Sequence, residues 1–108
     1  MKKEDMKLNN WQAISGLLGL AYKAGKVKTG MSGCYKSCVS KRARLVIMAD
    51  DLSDHSRRKI EHIISTNRIK AFSYGTKKQF GQLFKRNDTG LLSIEDSDFA
   101  AGLEKVMT

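Results

Sequence analysis

Asp50 and Asp51 stand side by side directly after the most apolar run of the chain, Leu45-Val46-Ile47-Met48-Ala49. Open α/β sheets bind ligands beyond the carboxyl ends of their strands, so two carboxylates there could hold Mg²⁺ for phosphoryl transfer, as in receiver-like domains. That chemistry calls for a third strand-end acid and a phosphate-binding lysine, and the sequence assigns neither. With Ser53 just behind them, the same two residues suit the start of a helix, where side-chain oxygens accept amide hydrogen bonds and negative charge meets the positive dipole end. Helix capping is the expectation.

Cys34 and Cys38 are four residues apart, and His55 and His62 are seven apart. Together they make an arithmetical Cys₂His₂ set without the short paired spacings of structural zinc sites. The expectation is two small thiols facing a core, with the histidines on the polar face of a helix that also carries Arg57, Arg58 and Lys59. No Ser, His and Asp arrangement stands out. Gly30 to Gly33 reads Gly-Met-Ser-Gly with no Lys-Thr or Lys-Ser behind it, so it is no phosphate loop of the nucleotide-binding kind. Neither a catalytic residue, a metal nor a cofactor is expected.

The segment around Gly30 offers binding rather than catalysis. A helix opening near Met31 or Ser32 would present free backbone N–H groups and a positive dipole end, both suited to phosphate oxygens. Lys28 precedes it, Lys36 lies about a turn inside, and Lys41, Arg42 and Arg44 follow. Ser32 and Gly33 are small enough to let that helix end approach a nucleic-acid groove.

Charge supports the same reading. The 108 residues hold 20 Lys and Arg against 11 Asp and Glu, a net +9, which favours a polyanionic partner. No acid occurs between Asp5 and Asp50, whereas the stretch from Asp88 onward has five acids and only Lys105. Solubility alone does not require such segregation. The length suits one domain, and 41% hydrophobic residues can fill its core. The opening residues, Met1 to Lys7, lead into no apolar stretch, so no secretory signal is expected, and no apolar run is long enough for a membrane span. Two cysteines are too few for a disulfide scaffold, which makes a cytoplasmic protein with reduced thiols the expectation.

The elements that must position these groups follow from periodicity. After a polar N-terminal tail, residues 1–9, Trp11, Ile14, Leu17, Leu18, Ala21 and Tyr22 recur at helical spacing, and Gly25 suits the left-handed position after the helix. Val27 to Thr29 reads as extended, and Cys34, Tyr35, Cys38 and Val39 as the apolar side of a second helix. Leu45 to Ala49 is a strand covered on both faces, because its apolar residues do not alternate with polar ones. Ile60, Ile63 and Ile64 form the apolar face of a third helix ending near Thr66. Ile69 to Tyr74 is a strand, Thr76 and Gln79 form a capping box for a fourth helix, and Asn87 to Gly90 turn into the strand Leu91 to Ile94. Phe99, Leu103 and Val106 mark a last helix. Alternating strands and helices predict a single α/β/α sandwich over residues 10–108.

Three segments resemble a known family. They are LLGLAYKAGKVKTG from Leu17 to Gly30, KRARLVIMADD from Lys41 to Asp51, and YGTKKQFG from Tyr74 to Gly81. In order and spacing they are similar to the bacterial YlxQ-type branch of the L-seven-Ae family of kink-turn RNA-binding ribosomal proteins. The resemblance implies a three-layer α/β/α sandwich with a four-stranded mixed sheet. It also implies that the start of the second helix docks against sheared G·A pairs at a sharp RNA kink. In the family that helix opens with a glycine, polar Asn and Glu readers, and a lysine further along. Gly30 and Lys36 match the glycine and the lysine, whereas Ser32 and Gly33 stand at the readers' positions. Many relatives cover a flipped-out nucleotide with an apolar loop before the last strand; here that loop is the polar Lys85-Arg86-Asn87-Asp88-Thr89.

The expected function is non-enzymatic binding of structured RNA, with ribosomal RNA or the ribosome among the partners and no membrane, by a monomer. The expected RNA-binding residues are Lys28, Gly30, Ser32, Gly33, Lys36, Lys41 and Arg42. The alternative is a protein-interaction module on the same fold that has lost specific kink-turn recognition, and the third reading is the Mg²⁺-dependent receiver-like domain.

Overall fold

Leu45 to Met48 is buried at every residue, as its unbroken apolar run requires, and it is a central strand of the sheet. The computed structural model describes residues 3–108, with side chains from residue 10 onward. Along the chain the elements are α1 (Lys3–Lys23), β1 (Val27–Thr29), α2 (Gly30–Val39), β2 (Leu45–Met48), α3 (Asp54–Asn67), β3 (Ala71–Ser73), α4 (Lys77–Leu83), β4 (Leu91–Ile94) and α5 (Ser97–Met107). The backbone of α1 takes in residues 3–9 of the segment read as a polar tail.

The sheet is mixed, in the order β1-β4-β2-β3. β2 and β3 are parallel, joined by the α3 crossover, while β4 slots antiparallel between β1 and β2. Alternation within β2 divides the core. Leu45, Ile47 and Ala49 join Ile14, Leu18, Phe80, Leu92, Ile94 and Leu103, residues of α1, α4, β4 and α5. Val46 and Met48 join Cys34, Cys38, Ile60 and Ile63 of α2 and α3 on the other face. This is the three-layer α/β/α sandwich that the sequence pattern predicts.

Local signals explain most boundaries. Gly25 follows α1 with φ of +74°, the left-handed conformation expected of it. Thr76 accepts from the Gln79 amide while Gln79 Oε1 accepts from the Thr76 amide, completing the predicted capping box. Ser53, not the aspartate pair, caps α3 by accepting from Ser56 N. The expected roles of Asp50 and Asp51 are therefore corrected. Asp51 Oδ1 accepts from the Lys77 amide at 2.9 Å, at the start of α4, and Asp50 Oδ1 accepts from Ser73 Oγ at 3.0 Å. Two intervening residues carry the chain away before α3 begins, so neither carboxylate can reach its first turn as the cap does.

The register gathers the loops at two ends. Thr29 pairs with Leu92, and Met48 with both Leu91 and Ser73. One end of the sheet therefore holds the start of α2, the Asp50–Asp51 loop and the polar loop 85–89. Leu45, Ala71 and Ile94 lie toward the opposite end, where α2 and α3 finish.

A candidate nucleic-acid interface along the second helix

α2 begins one residue earlier than expected, at Gly30, whose φ of +80° is a conformation that glycine adopts without a Cβ penalty. The strand-to-helix turn is thus made on the glycine itself. Thr29 occupies the cap position, but its side chain makes no capping hydrogen bond, and the first turn contains no acid. α3, α4 and α5 each have a side-chain cap, from Ser53, Thr76 and Asp96. Among the described residues, the amide donors at the start of α2 therefore have no side-chain cap, the local geometry in which a helix end suits an anion.

Four of the seven expected RNA-binding residues line one groove of about 290 Å³ beside this helix: Lys28, Gly33, Lys36 and Arg42. The three cations are exposed. Ser32 lines a neighbouring hollow with Met31, Tyr35 and Lys59. Lys41 is the exception to the expected grouping. It lies past the end of α2, in a separate hollow with Arg44, Arg68 and Lys70. Chain proximity to Arg42 does not bring it into the groove, because Lys41 is in the left-handed conformation (φ 65°) and Arg42 and Ala43 both donate back to Ser37 O.

The sequence reading missed Glu95, the acid that lines the basic groove. β4 delivers it there by pairing with β1, with Glu95 N donating to Lys26 O at 2.8 Å. Ser37 Oγ donates to Glu95 Oε2 at 2.7 Å and lies 2.7 Å from Ser93 Oγ. Because the Ser37 proton goes to the carboxylate, Ser93 is the donor in the second bond. The helix reading of Cys34, Tyr35, Cys38 and Val39 holds, but only the thiols are buried. Tyr35 and Val39 are 50% and 46% exposed.

Cys34 and Cys38 are fully buried in the α2–α3 core, as expected of packing thiols. Burial first, then the neighbouring Cys38 and Glu95, pushes the Cys34 thiol up to about 12, and burial raises Cys38 as well. Both thus remain neutral thiols near pH 7. His55 and His62 are exposed on α3. Among the described residues, no group of three or more His, Cys, Asp or Glu is placed to hold a metal ion. No helix there is long and apolar enough to cross a membrane. The loop 85–89 presents exposed Lys85, Arg86, Asn87 and Asp88, and Arg86 N is tied to Gly81 O at 2.9 Å.

These features define a class of small α/β/α sandwiches in which a cationic groove runs beside a helix whose start has no side-chain cap. Residues 12–103 match the ribosomal protein L7Ae/L30e/S12e/Gadd45 family, and the chain belongs to it. The resemblance carried by Leu17–Gly30, Lys41–Asp51 and Tyr74–Gly81 is thereby borne out. The chain is similar to the RNA-binding protein YlxQ of Enterococcus faecium, 26% identical over 95 residues that cover 88% of this chain and 91% of that protein. Its fold is shared with a solved protein of unknown function from Bacillus halodurans C, with a TM-score of 0.81 at 22% identity. That likeness covers 87% of this chain and 95% of the solved one.

Proposed function

We propose that this chain is a non-enzymatic binder of structured RNA, acting as a cytoplasmic monomer on ribosomal RNA or a ribosome-associated RNA. The observation that carries the reading is α2 itself, with no side-chain cap at its start and with one groove along its side that gathers Lys28 just before the helix, Lys36 in its last turn and Arg42 beyond its end. Family membership and the name of the Enterococcus faecium relative support it. Amide donors and the dipole would take a phosphate at the helix end while the lysines and Arg42 neutralise its neighbours along the groove. Phosphate contacts of this kind position an RNA without reading its bases. Base readout falls to the α2 start, where Ser32 offers one hydroxyl and Gly33 no side chain.

The test is titration of a kink-turn stem and a straight duplex against salt. Replacing Lys28 and Lys36 by Gln weakens both complexes and lowers the log–log salt slope by roughly 0.7 to 0.9 for each phosphate no longer neutralised. Unchanged affinity and slope would refute the interface. A second reading, a protein-docking module that has lost kink-turn recognition, draws on exposed Tyr35 and Val39, one helical turn apart on α2. It predicts no RNA preference and no salt dependence of that form.

A further inference from the structure

Positive charge also converges at the opposite end of the sheet. Lys41, Arg44, Arg68 and Lys70 line a hollow of about 350 Å³ where α2 and α3 end and β2 and β3 begin. No carboxylate of the described residues lines it. Lys70 Nζ is bound to Glu104 at 2.8 Å, while Lys41, Arg44 and Arg68 have no ion pair among the described residues. The hollow is also built. Asn67 donates its amide to Ile63 O at 2.8 Å, which turns its Oδ1 toward Lys41 Nζ at 3.4 Å.

The ten residues of α2 span about 15 Å at 1.5 Å each, and this sets the distance from the start of α2 to the hollow beyond its end. Arg42 bridges the two basic regions, for it lines the first groove and sits in sequence between Lys41 and Arg44 of the second hollow. Cations run from Lys28 on β1 past Lys36 in the last turn of α2 to Arg42 and Arg44 beyond its end, and Glu95 is the acid in the groove that holds the first three. Such a track matches the regular negative charge of a duplex backbone. Fifteen ångströms measured along a duplex axis covers roughly four to five base-pair steps at the ~3.4 Å axial rise of B-form DNA.

We propose that this hollow is a second RNA-binding surface, taking phosphates of the stem that flanks the segment held at the start of α2. The proposal rests on the RNA-binding reading above. A role limited to complementing the carboxyl ends of α2 and α3 would affect stability and leave RNA affinity alone.

The experiment uses two RNAs that share one kinked core, one trimmed close to the core and one extended by a full turn of duplex. Arg44→Gln combined with Arg68→Asn removes two cations; asparagine suits the left-handed backbone at residue 68 (φ 54°). The variant binds the extended RNA about tenfold more weakly at one fixed moderate salt concentration, with a salt slope smaller by roughly 1.4 to 1.8 if each arginine takes one phosphate. On the trimmed RNA it matches the parent protein. Arg44→Lys with Arg68→Lys restores the extended complex. Equal weakening on both RNAs, or none on either, overturns the second surface. If Lys28→Gln with Lys36→Gln also changes neither complex, the RNA reading itself falls; if it weakens both, only the second surface does. Should the double variant fail to fold, Arg44→Gln alone decides the same comparison.

Discussion

Ser37 Oγ donates to Glu95 Oε2 at 2.7 Å, joining α2 to the residue that follows β4 across 58 positions of sequence. The bond fixes a carboxylate in a cationic groove and leaves Ser37 Oγ to accept from buried Ser93. Ser37→Ala therefore strips a fully buried hydroxyl of its acceptor, at a cost of about 1–3 kcal/mol. Chemical denaturation measures it. In a Ser93→Ala background the same substitution costs less, because the orphaned hydroxyl is gone; equal costs in both backgrounds would show that the two serines are not coupled.

Asp51 tests the corrected role of the aspartate pair. Its Oδ1 accepts from the first amide of α4. Asp51→Ala lowers stability by about 0.5–2 kcal/mol, whereas Asp51→Asn, which keeps an acceptor, stays near the parent. Millimolar Mg²⁺ leaves the melting temperature of both unchanged. A Mg²⁺-dependent rise in the parent that Asp51→Asn does not show would restore the metal-site reading.

Elements whose signal is local were readable from the sequence. Gly25, the Thr76–Gln79 box and the apolar run at Leu45 each encode their structure within a few residues, and all three occur as predicted. Long-range partners were not. Asp51 finds the Lys77 amide 26 residues away, and Glu95 enters the groove because β4 pairs with β1. No periodicity announces which strand lies beside which. The same limit applies to Lys41: the basic run Lys41–Arg44 reads as one patch, yet a left-handed turn at Lys41 assigns its members to different hollows.

The buried Cys34 thiol makes stability depend on alkaline pH. Its folded value is raised to about 12 from 9.0, so below pH 9 both folded and unfolded chains hold the proton and stability is unaffected. Between pH 9 and 12 the unfolded chain releases that proton and the native protein does not. Stability then falls as pH rises, by about 1 kcal/mol or more per pH unit. Cys38 shifts in the same direction. Urea midpoints measured from pH 8 to 11 decline less steeply for Cys34→Ala than for the parent, whatever the packing cost of the substitution at pH 7. Parallel declines would mean that the thiol does not contribute.

The start of α2 can be asked to regain what its sequence lacks. Gly33 carries none of the positive φ that would demand glycine, and a Cβ there would meet Lys28 Cβ at 3.5 Å, an ordinary van der Waals separation. Ser32 is exposed. Family resemblance sets Asn and Glu at these two positions, so Ser32→Asn with Gly33→Glu rebuilds the reader pair on an intact helix. The new carboxylate sits beside Lys28 and Lys36, which lowers affinity for a straight duplex through repulsion. On a kinked RNA the same groups gain base contacts, each worth ~1–3 kcal/mol where duplex DNA has been studied. The ratio of kinked to straight affinity at one salt concentration should rise roughly tenfold or more. Gly33→Ala serves as the control, stabilising the helix by about 0.5–1 kcal/mol without altering that ratio. A ratio that stays flat in the double variant would mean that the α2 start meets RNA in some other orientation than against sheared G·A pairs.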